Sequence, residues 1–160
     1  MPKFQEILLL VGQLNYTWTN TESLLIHMIA GLAQVDKETA IVIFLTLNTT
    51  RARLDLVERL AKMQKTSAEC RNDVLDATRR LSDLSKLRNK YNHCIYSFDP
   101  DSGQGLTQLM RIFDSKDDVK YGKVEALDTL EMARIKESIR SLIDLNHRLW
   151  DITEKYNFPR

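Results

Sequence analysis

The stretch CRNDVLDATRRLSDLSKLRNKYNH, Cys70 to His93, decides how this chain is read. Cys70, Val74, Ala77, Leu81 and Leu84 recur at alternating three- and four-residue steps, and Tyr91 continues the series through Arg88. A stripe of that period is the apolar face of an amphipathic helix turned towards other helices. Arg88 interrupts it. A guanidinium stays charged, so on such a seam it needs an anionic partner, supplied by the protein or by a ligand. The fold class is therefore helical, and Arg88-Asn89-Lys90-Tyr91-Asn92-His93 points to a site.

The rest of the chain repeats the helical pattern. Phe4 to Ala33 is predicted as one long first helix, with Leu8, Val11, Trp18, Leu25, Ile29 and Leu32 on one stripe and Ile7, Leu10, Leu14, Leu24 and Met28 on the next. Two adjoining stripes bury a wide face, as in a bundle. A shorter helix follows from about Lys37 to Leu47. Asn48-Thr49-Thr50 then provides cap chemistry for a third helix to about Gln64, and Ser67 caps the fourth, which runs to about Asn92.

Beyond this point the composition changes. Ile95, Tyr96 and Phe98 favour strand, Asp99 to Gly105 is dense in turn residues, and Leu106 to Phe113 reads as a returning strand, with a third short strand possible near Lys120 to Val124. Asp128 with Glu131 is a capping box opening a last helix to about Lys155, whose apolar face carries Ile135, Ile139, Leu142, Leu145, Leu149 and Ile152. The expectation is a single all-α domain over residues 1–160: an up-and-down bundle of about five helices, with a small β-hairpin inserted at about 94–125.

Bulk properties narrow the function. A net charge of +1 argues against a dedicated duplex-binding protein, whose basic surface would dominate the balance. The 2 cysteines, Cys70 and Cys94, have no metal-ligand spacing and are too few for a disulfide scaffold. Ile7 to Val11 is too short for a signal-peptide core, and no apolar run reaches the roughly 18 residues of a membrane span. A soluble, cytoplasmic protein without membrane partners is expected. His27, His93 and His147 fall on different elements without metal-ligand spacing, and no glycine-rich phosphate loop follows a strand, so neither metal nor cofactor is expected.

Within the motif, Asn89 and His93 lie one helical turn apart and share a face, whereas Arg88 and His93 are about 140° apart. Arg79, Arg80, Lys86, Arg88 and Lys90 make a cationic strip against Asp83, suited to phosphates. Histidine exchanges protons near neutrality, arginine clamps phosphate, and asparagine orients or donates. Metal-free RNA cleavage needs those roles. A structural alternative stands beside it: Glu22 falls on an apolar stripe of the first helix, and either Arg88 or Arg53 can serve as its counterion. Arg140 and His147 repeat the arginine-to-histidine pairing in looser form.

Motif and layout together resemble the HEPN superfamily, helical bundles with an RNxxxH-type motif late in a long penultimate helix. The chain is most similar to small stand-alone bacterial HEPN-like proteins, in Trp18-Thr19-Asn20-Thr21-Glu22 of the first helix, Arg51 to Val57 of the third, and Leu127-Asp128-Thr129-Leu130-Glu131 before the last. The resemblance implies a homodimer with the motifs near its interface. For active members it implies metal-independent endoribonuclease activity in toxin–antitoxin or phage-defence settings, with an antitoxin or other protein partner. Arg88 would clamp phosphate, His93 would be the general acid–base, and Asn89 would support them. Many relatives place a glycine after the histidine, where this chain has Cys94. A non-catalytic dimeric module that binds RNA or protein is the second expectation, and a structural dimer with Arg88 locked to Glu22 the third.

Overall fold

A computed structural model describes residues 4–160. It is mostly helical, with α1 (Phe4–Glu22), α2 (Leu25–Ala33), α3 (Lys37–Thr46), α4 (Thr50–Ala61), α5 (Ala68–Asn92) and α6 (Thr129–Lys155). Between α5 and α6 lie β1 (Cys94–Phe98), β2 (Gly105–Leu109), β3 (Ile112–Asp114), β4 (Val119–Tyr121) and β5 (Val124–Ala126). The chain divides into two compact units, one made of residues up to Tyr16 with Lys86–Arg140, the other of Thr17–Ser85 with Ser141–Arg160.

In the second of these units the predicted first helix breaks. Leu24 N–H bonds the Thr21 carbonyl and His27 N–H bonds that of Leu24, so the turn tightens between α1 and α2. The Ser23 hydroxyl takes the Asn20 carbonyl at 2.8 Å, and Thr21 takes that of Thr17 at 2.8 Å. Such back-bonding competes with the helical ladder and bends it where neither glycine nor proline is present. Trp18, Leu25, Met28, Ile29, Val57, Val74, Leu81, Leu145, Leu149 and Ile152 are buried. Expected caps are in place: Thr49 accepts from Ala52 N–H at 3.1 Å and Ser67 from Cys70 N–H at 3.2 Å.

Glu22 is buried here, and its carboxylate receives Arg53 Nη1 and the Thr50 hydroxyl. Arg53 Nε also donates to the carbonyls of Phe44 and Leu47, at 3.1 and 3.0 Å, and its guanidinium lies 3.9 Å from the Phe44 ring centroid. One arginine thus neutralises a buried acid and satisfies carbonyls at the end of α3.

The other unit holds the sheets. The insertion is larger than one hairpin: β1, β2 and β5 form an antiparallel three-stranded sheet in the order β1-β2-β5, and β3 pairs with β4 separately. The predicted single strand from Leu106 to Phe113 bends at Met110-Arg111 into β2 and β3, and the third strand divides at Gly122 into β4 and β5. Gly103, at φ +69°, closes the turn before β2. At Gly122 a side chain is excluded, because an added Cβ would lie 2.1 Å from the Leu109 carbonyl oxygen.

The apolar seam of α5 is filled rather than left open. Cys70, Val74, Ala77, Leu81 and Tyr91 are buried, and among the described residues no exposed large apolar side chain lies on this helix. Among the described residues, exposed large apolar side chains lie on α1, α3, α6 and the strands, among them Leu8, Leu45, Leu130, Trp150, Ile112 and Tyr121.

Candidate functional site

Helix α5 ends without a left-handed residue. Among the described residues the positive-φ positions are Gln34, Asn157 and Gly103, so His93 passes straight into β1. The Tyr91 carbonyl is satisfied by the Tyr96 hydroxyl at 2.7 Å and by Cys94 Sγ at 3.7 Å. That is the role a glycine turn would otherwise fill. Cys94 is buried, and burial pushes its thiol above the usual range, which makes it a packing residue rather than a nucleophile. Met110 N–H then donates to the His93 carbonyl at 3.0 Å, fastening the β2–β3 bend to the end of the helix.

The bend creates a cleft of ≈ 380 Å³ lined by Lys86, Asn89, Lys90, His93, Leu109, Met110 and Arg111. Asn89 and His93 therefore share one opening, as their spacing on the helix requires. Among the described residues neither the His93 imidazole nor the Arg111 guanidinium carries a hydrogen bond or an ion pair, and both are exposed. Arg88 is not part of the lining. It is half-buried, and its Nη1 donates to Asn89 Oδ1 at 3.0 Å. That bond orients the amide, leaving the Asn89 NH₂ as the end available to a ligand.

Lys90 is deeply committed. Its ammonium bonds Glu125, and Glu131 at 2.9 Å, while Glu131 also receives the Tyr91 hydroxyl. Burial alone would lower the Lys90 ammonium, but the bonds to Glu125 and Glu131 outweigh it and hold the group above the ordinary lysine range. For Glu131 burial acts upward, and the bonds from Tyr91 and Lys90 bring the carboxyl below its ordinary value. Glu125 is lowered by Lys90 and then Lys123. Burial and the Glu131 carboxylate raise the Tyr91 phenol, which stays protonated. Glu131 was expected to close a capping box. Its backbone N–H does bond Asp128 Oδ1 at 2.8 Å, but its side chain serves the lysine and tyrosine instead.

The remaining sequence-derived residues lie elsewhere. Arg79 lines a separate cleft with Glu58, Lys62, Ser82 and Asp83, and Arg80 is half-buried. Arg140 pairs with Glu137 at 2.8 Å, and His147 is exposed. His27 is buried and donates from Nδ1 to the Pro159 carbonyl at 2.8 Å, since a carbonyl can only accept. The cationic strip is thus divided: Lys86 and Lys90 reach the His93 cleft, with Lys90 already bonded to two carboxylates. Sequence reading missed Arg111. It stands in what reads as the middle of a strand, and no local signal marks the bend that turns it into the cleft.

Comparison with protein-family models, curated proteins and solved structures finds no match.

Proposed function

We propose that the chain is a HEPN-like, metal-independent endoribonuclease with the His93 cleft as its active site. The observation that carries the reading is the convergence of the His93 imidazole, the Asn89 amide and the Arg111 guanidinium on one opening. In this mechanism His93 takes the proton of a ribose 2′-hydroxyl as that oxygen attacks phosphorus. The P–O5′ bond breaks, the leaving oxygen gains a proton from water, and the products carry a 2′,3′-cyclic phosphate and a 5′-hydroxyl. Arg111 and the Asn89 NH₂ donate to the phosphoryl oxygens, where charge grows. Arg88 acts as a positioning residue through Asn89 Oδ1, and Lys90 with Glu125 and Glu131 holds the end of the helix.

A homodimer, and the antitoxin or other protein partner that the resemblance implies, belong to the same proposal without an assigned surface. The second reading is a module that binds RNA without cutting it. It is favoured by the absence, among the described residues, of any group hydrogen-bonded to His93 that would hold its tautomer.

The deciding experiment is cleavage of single-stranded RNA in EDTA with end-group analysis. The expected result is a 2′,3′-cyclic phosphate, with His93→Ala slower by a factor of about 10²–10⁴ and still folded. An uncleaved substrate that is nevertheless bound selects the second reading. Undiminished cleavage by His93→Ala removes this site from the reaction.

A further inference from the structure

Beside the His93 cleft lies a second concavity, of ≈ 490 Å³, lined by Ile95, Gln108, Leu109, Met110, Arg111, Ile112 and Tyr121. Strand register explains how it is built. Ile95 faces Gln108 across β1 and β2, so both side chains project from one face of the three-stranded sheet. Ile112 faces Tyr121 across β3 and β4, and these form the opposing wall. The two clefts share Leu109, Met110 and Arg111.

Water gains little from these walls. Ile95, Met110, Ile112 and Tyr121 are 52%, 55%, 64% and 69% exposed, an apolar cluster with one aromatic ring and a cation at its rim. The polar group on the floor is Gln108, whose Nε2 donates to the Gly122 carbonyl at 3.4 Å. That bond fixes the amide so that Oε1 is the atom left to accept.

Taking RNA as the ligand of the His93 cleft, we infer that this groove is its nucleobase subsite. The base adjoining the phosphate held at Arg111 stacks on Tyr121, against Ile95 and Ile112, and a base N–H donates to Gln108 Oε1. Charge and continuity select this occupant. A phosphate bound by Arg111 lies at the shared rim, and a base is the planar apolar group attached within one nucleotide of it. Unpaired bases are held by aromatic stacking and side-chain amides in this way, while the cation follows the backbone. The groove thus assigns single-stranded RNA as the substrate class.

The test compares binding of a short 2′-O-methyl oligoadenylate, which lacks the attacking hydroxyl, with an abasic 2′-O-methyl strand of the same length. Wild type should prefer the adenylate, and Tyr121→Ala should weaken it by about tenfold, as expected for losing one stacked base, with the abasic strand unaffected. Tyr121→Phe keeps the ring and should restore the preference, which separates stacking from a disturbed hairpin. Equal binding of both strands by wild type overturns this inference and leaves the proposed function standing. Binding of neither overturns both. If Tyr121→Ala changes self-association by light scattering and not RNA affinity, the groove belongs to a second copy and the inference fails.

Discussion

The Lys90–Glu125–Glu131–Tyr91 network, buried at Glu131 and Tyr91 and half-buried at Lys90 and Glu125, decides what Lys90 is able to do. Glu131 accepts from the Lys90 ammonium, the Tyr91 phenol and the exposed Arg134 while itself almost wholly buried, so removing it strands the buried Tyr91 hydroxyl and takes one of the two carboxylates from Lys90. Glu131→Ala is expected to cost about 3 kcal/mol, at the low end for a broken buried pair because Lys90 keeps Glu125. The pH dependence has a definite sign. The carboxyls of Glu125 and Glu131 are depressed in the folded state, so their contribution is complete above the unfolded value of about 4.3 and is lost as pH falls through the folded values. Lys90 is raised, so its share is complete below the unfolded value of about 10.4 and is lost as pH rises through the folded one. The stability gap between wild type and Glu131→Ala in denaturant melts should therefore narrow as pH falls below about 4.3 and through the depressed folded value. A gap that stays constant down to pH 2 would mean the carboxylate charge is irrelevant.

At the scale of elements, the cleft and groove depend on how the β3–β4 hairpin is seated. Gly122 N–H donates to the Arg111 carbonyl at 2.9 Å, and the absence of a side chain at Gly122 lets its backbone lie against Leu109. The contact that an alanine would meet is backbone, which a rotamer change cannot relieve. Gly122→Ala is expected to cost about 1–3 kcal/mol, concentrated in this hairpin, and to lower RNA affinity by displacing Arg111. Hydrogen exchange at the β3 and β4 amides reads this directly. Unchanged protection in the variant would show that the hairpin is not held through Gly122.

For the whole molecule, a net charge of +1 leaves no long-range field to gather nucleic acid, so attraction has to be local to the cleft. Lys90 is bonded to two carboxylates, and the cation that the strand bend brings to the cleft is the exposed Arg111. With a phosphate contact at Arg111 counted at roughly 0.7 counterions, log K against log salt should have a shallow slope of about −1 for a single strand. A slope near −5 would mean that a much larger basic surface is engaged, and the cleft would not be the main binding site.

The sequence determined the helices, because their signals are local. The stripe from Cys70 to Tyr91, the Thr49 and Ser67 caps and the face from Ile135 to Ile152 are set by residues within a few positions of one another. It also determined that Asn89 and His93 share a face and that Arg88 does not, which is helical geometry alone. Where two local preferences competed, sequence reading misplaced the boundary: at Ser23, where hydroxyls take ladder carbonyls, and at Met110-Arg111, where a run of strand-forming residues hides a bend. Only the tertiary structure decided the site. Arg111 lines the cleft of His93 because Met110 bonds the His93 carbonyl, and Lys90 is claimed by Glu125 and Glu131, 35 and 41 residues away. Such partnerships depend on three-dimensional approach, and no periodicity along the chain encodes them.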